Sequence, residues 1–246
     1  PVAVVAGNAA SVVGSPALPD EALRSFTPDD EHARLAQADV VLYDDLSSGP
    51  ILDLARPGAD LISVGKRAGR PSAKQDHVNL LLLDYARTGA RVVRLKSGDC
   101  GIYGRLEEEI LALRAAGISF EIIPGVTAAT ATTAAAGIPL TRRSTSRRVQ
   151  YVTGHDLTGA LPEALNWAAL TDAGTTTIVY MARRTFPDLA AKLIANGLAP
   201  ETPALIAEGV STEAENIRRF TVASLAAYLA ETPAPERAPS LIIYGP

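Results

Sequence analysis

The sequence has a single cysteine, Cys100, and three histidines. One thiol cannot close an internal disulfide, which excludes a disulfide framework, and so few histidines leave no metal site to expect. Cysteine this scarce suits a reducing, cytoplasmic setting. No apolar run reaches the roughly 20 residues of a membrane helix. The opening Pro1-Val2-Ala3-Val4-Val5 carries no basic flank, so neither a membrane span nor a signal peptide is expected. It also lacks an initiating Met, as a domain of a longer polypeptide would. Positive charge is not in surplus: 23 Lys and Arg against 27 Asp and Glu leave a net charge of -4, which argues against nucleic acid as the main partner. What is present is globular. The 246 residues are 47% hydrophobic and 20% charged, with 19 Gly and 17 Pro, values that exclude disorder, collagen and coiled coil. The length suits one large domain or two ordinary ones.

Short β-branched runs alternate with longer amphipathic stretches. Strands are predicted at 2–6, 39–43, 61–65, 91–95 and 119–123, then at 149–153, 176–181, 203–207 and 240–244. Several are almost continuously apolar, the pattern of strands covered on both faces in mostly parallel sheets. Helices are predicted over 74–88, 107–116 and 186–196, with Gly197 as a C-terminal cap. Helices between strands imply right-handed crossover units. A break at Pro124-Gly125 separates five strands from four. The expected fold is α/β: two α/β domains, 1–123 and 124–246, with mostly parallel or mixed sheets and a small-molecule site in the cleft between them. The Pro-rich stretch 232–239 reads as a surface loop.

Candidate chemistry lies mostly at strand ends. Lys96-Ser97-Gly98-Asp99-Cys100-Gly101-Ile102-Tyr103-Gly104-Arg105 follows the strand at 91–95. Ligands of parallel sheets collect beyond such ends, and glycines there permit turns and close approach. The dinucleotide fingerprint is absent, and the segment reads equally as a tight turn or as a ligand loop. Asp44, in Tyr43-Asp44-Asp45-Leu46, reads as a helix N-cap, the commoner role of an isolated Asp, or as an acid/base group. Val64-Gly65-Lys66-Arg67-Ala68-Gly69-Arg70 is a solvated loop or an anion-binding rim. Pro124-Gly125-Val126-Thr127-Ala128-Ala129 opens an Ala/Thr helix with little bulk, and Thr127 caps it or donates to a ligand. Arg142, Arg143, Arg147 and Arg148 crowd into seven residues and point to a polyanion, since guanidinium pairs with carboxylate or phosphate in bidentate fashion. Met181 ends an apolar strand and, read alone, belongs to a core. His155, in Thr153-Gly154-His155-Asp156, is a lone histidine and reads as structural.

Taken in order, DVVLYDDL, ISVGKRAG, RVVRLKSGD, YGR, PGVTAA, GIPLTRR, TGHD, VYM and PALIAE closely resemble the uroporphyrinogen-III C-methyltransferases. These are tetrapyrrole methylases of siroheme and cobalamin synthesis, and the likeness runs from about Gln37 to the C-terminus. The resemblance implies two α/β domains, a homodimer, and S-adenosylmethionine bound between the domains as methyl donor. It implies Asp44 as proton acceptor and Lys66 as proton donor. Ser97, Gly98, Asp99, Ile102, Thr127, Ala128, Met181 and Gly209 or Val210 would contact the cofactor. Arg105, Glu108 and Arg143 would face an anionic tetrapyrrole, with Arg142, Arg147, Lys66 and Arg67 completing a cationic rim. The product would be precorrin-2, and fusion to, or work beside, a precorrin-2 dehydrogenase/ferrochelatase is a further implication. The pyrrole carbon is itself the nucleophile, so the protein need only align carbon, methyl and sulfur; positioning of that kind supplies roughly 7–11 kcal/mol in well-oriented systems.

The sequence departs from the family pattern in several places. The family's first loop, G-A-G-P-G-D-P, has no clean counterpart in Gly7-Asn8-Ala9-Ala10-Ser11, and Asp20, Asp29 and Asp30 compete for its aspartate. G-G-D-P has become Ser97-Gly98-Asp99-Cys100, R-G-G-E-E has become Arg105-Leu106-Glu107-Glu108, and Met181 is followed by Ala182 instead of glycine. Two other readings therefore stand beside the first: a related methylase of a different tetrapyrrole or acceptor, and a non-catalytic adenosylmethionine or tetrapyrrole binder.

Overall fold

The structure, a computed structural model, describes residues 2–7, 28–65, 75–232 and 239–246. The chain divides into two compact units, Pro1–Thr127 and Ala128–Pro246. Among the described residues no helix is long and apolar enough to cross a membrane.

The first unit runs β1 (Val2–Gly7), α1 (Pro28–Gln37), β2 (Val40–Tyr43), β3 (Asp60–Ser63), α2 (Gln75–Arg87), β4 (Val92–Ser97), α3 (Leu106–Ala115) and β5 (Phe120–Ile123). Its five strands lie in the order β3-β2-β4-β1-β5, and every pairing is parallel. Parallel strands need helical crossovers, and these bury both sheet faces. The apolar runs reflect this residue by residue. Val40, Leu42 and Val92 pack on one face with Val78 and Leu82 of α2 and Leu113 of α3. Val41, Val93 and Leu95 pack on the other with Leu35 of α1 and Ala38. Val78 and Leu82 stand four apart, so both fall on the buried stripe of α2.

The second unit runs α4 (Ala128–Ala136), β6 (Arg148–Thr153), α5 (Trp167–Leu170), β7 (Thr175–Tyr180), α6 (Phe186–Ala195), β8 (Pro203–Glu208), β9 (Asn216–Thr221), α7 (Val222–Glu231) and β10 (Ser240–Tyr244). Its sheet has five strands where four were expected, in the order β6-β7-β10-β8-β9. Only β6 and β7 pair in parallel; β10 inserts antiparallel between β7 and β8, and β9 pairs antiparallel to β8. The continuous apolar runs here mark two covered faces, not parallel direction. Ile206 and Ile242 face Phe186, Leu189 and Leu193 of α6 and Leu225 of α7. Leu205, Leu241 and Ile243 face Ala129 of α4.

These topologies decide what shares an edge. In the first unit Tyr43, Ser97 and Ile123 end parallel strands, so the turns after them leave the sheet on one side. In the second, Thr153, Tyr180 and Glu208 end strands running the same way, and Ser240 of β10 starts beside Glu208.

Candidate active site

Asp44 follows directly on β2 and caps the 3₁₀ turn Asp45–Ser47. Its Oδ1 accepts from Leu46 N at 3.1 Å, Ser47 N at 3.1 Å and Ser47 Oγ at 2.6 Å. Ser47 Oγ also lies 3.2 Å from the Leu95 carbonyl, which pins the turn to β4. The geometry is therefore that of a cap, yet only one carboxylate oxygen is spent on it. Oδ2 stands 3.6 Å from Arg94 Nη2. The side chain keeps 32% of its surface exposed, so capping leaves the second oxygen uncommitted to the turn.

The turn after β4 is built from unusual backbone. Gly98 has φ +71°, and Tyr103 and Arg105 are left-handed at 53° and 56°, a conformation costing a side-chain-bearing residue about 1–3 kcal/mol. A Cβ on Gly104 would sit 2.4 Å from the Cys100 carbonyl oxygen. Asp99 holds the turn together: Oδ1 accepts from Gly101 N at 2.8 Å and Oδ2 from Gly125 N at 3.0 Å. One carboxylate thus joins the Ser97–Ile102 segment to the Pro124–Thr127 segment. Ser97, Gly98, Ile102 and Thr127 are half-buried around it, and Ala128, the first residue of α4, is exposed. Arg105 makes a bidentate pair with Glu108, both bonds 2.7 Å, and the guanidinium draws the Glu108 carboxyl below its ordinary range.

Cys100 is buried under this turn, 1% exposed. Burial first, then the Asp99 charge, pushes its thiol from 9.0 up to about 11. The native thiol should therefore react with a disulfide reagent at pH 8 roughly 100-fold more slowly than the unfolded chain. The folded chain holds this proton more tightly, so the stability it contributes is intact below pH 9 and declines as pH rises from 9 to about 11. Urea melts across that window should show the decline in the wild type and lose that part of it in Cys100→Ser. Fast native labelling would contradict the assignment.

In the second unit, Met181 follows β7 in the left-handed region, φ 56°, and is 41% exposed. It is not a core residue, which corrects the reading of that side chain taken alone. Its neighbour Ala182 is the buried one: a Cβ on Gly154 would meet Ala182 Cβ at 2.4 Å. Thr185 Oγ1 donates to the Gly154 carbonyl at 2.5 Å and Gly154 N to the Tyr180 carbonyl at 2.7 Å, so the turns after β6 and β7 are locked together. His155 Nδ1 lies 3.0 Å from the Asp156 carbonyl, a local contact. Gly209, buried with φ +58°, turns the chain after β8, followed by half-buried Val210 and left-handed Ser211 at 66°. Across this edge Arg183 Nε stands 3.3 Å from Glu208 Oε1, both side chains 9% exposed.

The arginine run separates into two kinds. Arg142 Nη1 donates to the Pro246 carbonyl, and Arg148 pairs with Asp172. Arg143 and Arg147 are exposed, with Arg147 Nε donating to the Arg143 carbonyl at 3.0 Å. Lys66, Arg67 and Asp20 lie outside the described residues, and Asp29 and Asp30 fall within α1. Among the described residues no group of three or more His, Cys, Asp or Glu is placed to hold a metal ion.

Residues 31–226 match the model of the Tetrapyrrole (Corrin/Porphyrin) Methylases. The chain belongs to the tetrapyrrole methylase family. It is 43% identical over 212 residues to a siroheme synthase of Tolumonas auensis, covering 86% of this chain and 44% of that protein. It is 38% identical over 211 residues to a uroporphyrinogen-III C-methyltransferase of a Sinorhizobium species, covering 86% and 75%. The crystal structure of the uroporphyrin-III C-methyl transferase from Thermus thermophilus, complexed with S-adenyl homocysteine, superposes with TM-score 0.73 at 32% identity, covering 89% of this chain and 91% of that one. The chain thus spans less than half the length of the siroheme synthases it matches.

Sequence reasoning passed over one part of this tetrapyrrole methylase. Arg94 and Lys96 are 6% and 3% exposed, and Glu109 is fully buried beside them. Two cations at alternate positions of the otherwise apolar run Val92–Leu95 and Lys96 were a usable signal, because buried charges need partners.

Proposed function

We propose that this chain catalyses S-adenosylmethionine-dependent C-methylation of uroporphyrinogen III, giving precorrin-2. The observation carrying the reading is the Asp99 carboxylate, whose two oxygens tie the Gly101 and Gly125 backbone into one cradle. That cradle joins segments in which the family resemblance places the methyl donor. The residues of the first unit fit such a ligand: tight glycine backbone at Gly101 and Gly104, and half-buried Ile102 for apolar contact. S-adenosylmethionine, when bound, supplies a methyl group on a sulfonium sulfur. The chain's own part is to bind, align and take up a proton. Asp44 Oδ1 is committed to its cap, which leaves Oδ2 to accept the proton released from the ring system. Arg143 and Arg147, exposed and without a carboxylate among the ion pairs of the described residues, are suited to the carboxylates of the substrate.

A cytoplasmic location, a homodimer, and fusion or cooperation with a precorrin-2 dehydrogenase/ferrochelatase extend this reading. The length of the siroheme synthase relatives supports the fusion. The deciding experiment is mass spectrometry of uroporphyrinogen III incubated with the protein and S-adenosylmethionine. Addition of one or two methyl groups is expected. An unmodified substrate with S-adenosylmethionine bound by the protein would turn the reading to another acceptor, and no binding at all would turn it to a non-catalytic homologue. Arg143→Ala should raise the apparent Kd for uroporphyrinogen III about two- to five-fold, as one exposed charge does. The difference should shrink in high salt; an unchanged Kd removes Arg143 from the rim.

A further inference from the structure

Glu109 sits in the first half of α3 and is 0% exposed. Its Oε1 accepts from Arg94 Nε at 3.1 Å and from Gln75 Nε2 at 3.3 Å, and its Oε2 lies 2.6 Å from Lys96 Nζ. Arg94 and Lys96 are alternate residues of β4, so both point to the face that α3 covers. From this centre two arms reach outward. Arg94 donates to the Leu42 carbonyl at 3.3 Å and the Leu95 carbonyl at 2.7 Å, and its Nη2 faces Asp44 Oδ2 at 3.6 Å. Lys96 Nζ donates to the carbonyl of Gly104, between left-handed Tyr103 and Arg105.

Stability alone does not account for this cluster. Buried ion pairs often do no better than apolar side chains of the same volume, because desolvation offsets their attraction. Burial pulls the Lys96 ammonium below its ordinary range even with Glu109 alongside, which is that cost made visible. What the charges add is direction. A left-handed turn persists only where its surroundings over-determine it, and a carboxylate held through one oxygen stays in place only if the facing cation is itself fixed.

We propose that Glu109 is a positioning residue: through Arg94 it orients the Asp44 carboxylate, and through Lys96 it holds the Gly104–Arg105 turn, so that one buried carboxylate sets two ends of the site in register. Its kinetic consequence rests on the methyltransfer reading above; its structural consequence does not. Two variants separate the arms. Lys96→Met cuts only the Gly104 arm and leaves Glu109 paired with Arg94, so the fold is expected to survive. Glu109→Gln keeps the volume and removes the charge from both arms.

Hydrogen exchange of the full chain is the first measurement. In Lys96→Met, amides of 99–105 should exchange about ten-fold faster while those of 45–48 keep their wild-type rate; in Glu109→Gln both segments should exchange faster. Kinetics with uroporphyrinogen III and S-adenosylmethionine are the second. Lys96→Met should raise KM for the tetrapyrrole about five-fold or more, and Glu109→Gln should lower kcat about ten-fold or more, since small misplacement is costly to an aligned reaction. Wild-type exchange at 99–105 in Lys96→Met overturns the proposal, as do wild-type kcat and KM in both variants. If Glu109→Gln does not fold, Lys96→Met decides alone. If the wild type methylates nothing, the functional reading fails and the exchange rates still decide the clamp.

Discussion

Asp44→Asn is expected to lower kcat by about 10²–10⁴-fold, the range for loss of a positioned acid/base group, while changing stability by less than about 1 kcal/mol. The two effects should separate because the cap uses one oxygen and the proposed proton step uses the other. The cap needs one acceptor for the Leu46 and Ser47 amides and the Ser47 hydroxyl, and an Asn carbonyl provides it as well as Asp does. The proton step needs a carboxylate oxygen, and Asn has none. Arg94 keeps its bond to Glu109 in the variant, so no buried cation is stranded. Asp44→Ala removes the cap as well and should lose about 1 kcal/mol more. Steady-state rates with uroporphyrinogen III, set beside urea melts of the same three proteins, decide the matter. An Asn variant that turns over at the wild-type rate would make Asp44 a cap and nothing else.

Asp44 also shows where sequence reading stops. Asp44 was open to both interpretations because a strand-end carboxylate looks the same in either; the structure shows the cap on Oδ1 and leaves Oδ2 outside it. Strands such as Val40–Tyr43 and Ser240–Tyr244 were legible because both sheet faces are covered, which leaves an unbroken apolar run. The parallel or mixed character of the sheets was legible too, but not which strands of the second sheet run antiparallel, since the insertion of β10 between β7 and β8 is decided by tertiary packing. β9 went unseen because it is an edge strand: Asn216-Ile217-Arg218-Arg219-Phe220-Thr221 carries the charge that edges use against further pairing. α1 is short and polar and commits Leu35 to the core beside buried Glu31. α7 is apolar enough, but its capping box is Thr221 with Ser224, not the Glu or Gln that marks such a start in sequence. Met181 reads as core by residue type, and neither its exposure nor its positive φ in the turn after β7 has a signature in composition.

Glu208→Gln should be among the most destabilising single changes in the second unit, by about 3–5 kcal/mol, as when one partner of a buried ion pair is removed. In a chain of this size that corresponds to a fall in Tm of roughly 10 °C or more. Glu208 ends β8, hydrogen-bonded within the sheet between β10 and β9, and its carboxylate meets Arg183 in the turn that follows Met181. The pair is 9% exposed on both sides, so solvent screening, which reduces surface pairs to under about 1 kcal/mol, does not apply. It also bridges the two turns of this unit that the resemblance assigns to the cofactor, Met181 on one side and Gly209–Val210 on the other. Two consequences should therefore part company in a double variant. Arg183→Met with Glu208→Met replaces the charges by apolar side chains of similar length and should recover most of the lost stability. It should not recover affinity for S-adenosylhomocysteine, expected to be about ten-fold weaker in both variants by calorimetry, because apolar packing fills the space without fixing one turn against the other. Recovery of stability and affinity together would reduce the pair to a packing element. A loss below about 0.5 kcal/mol in Glu208→Gln would mean that the ion pair behaves as a surface one.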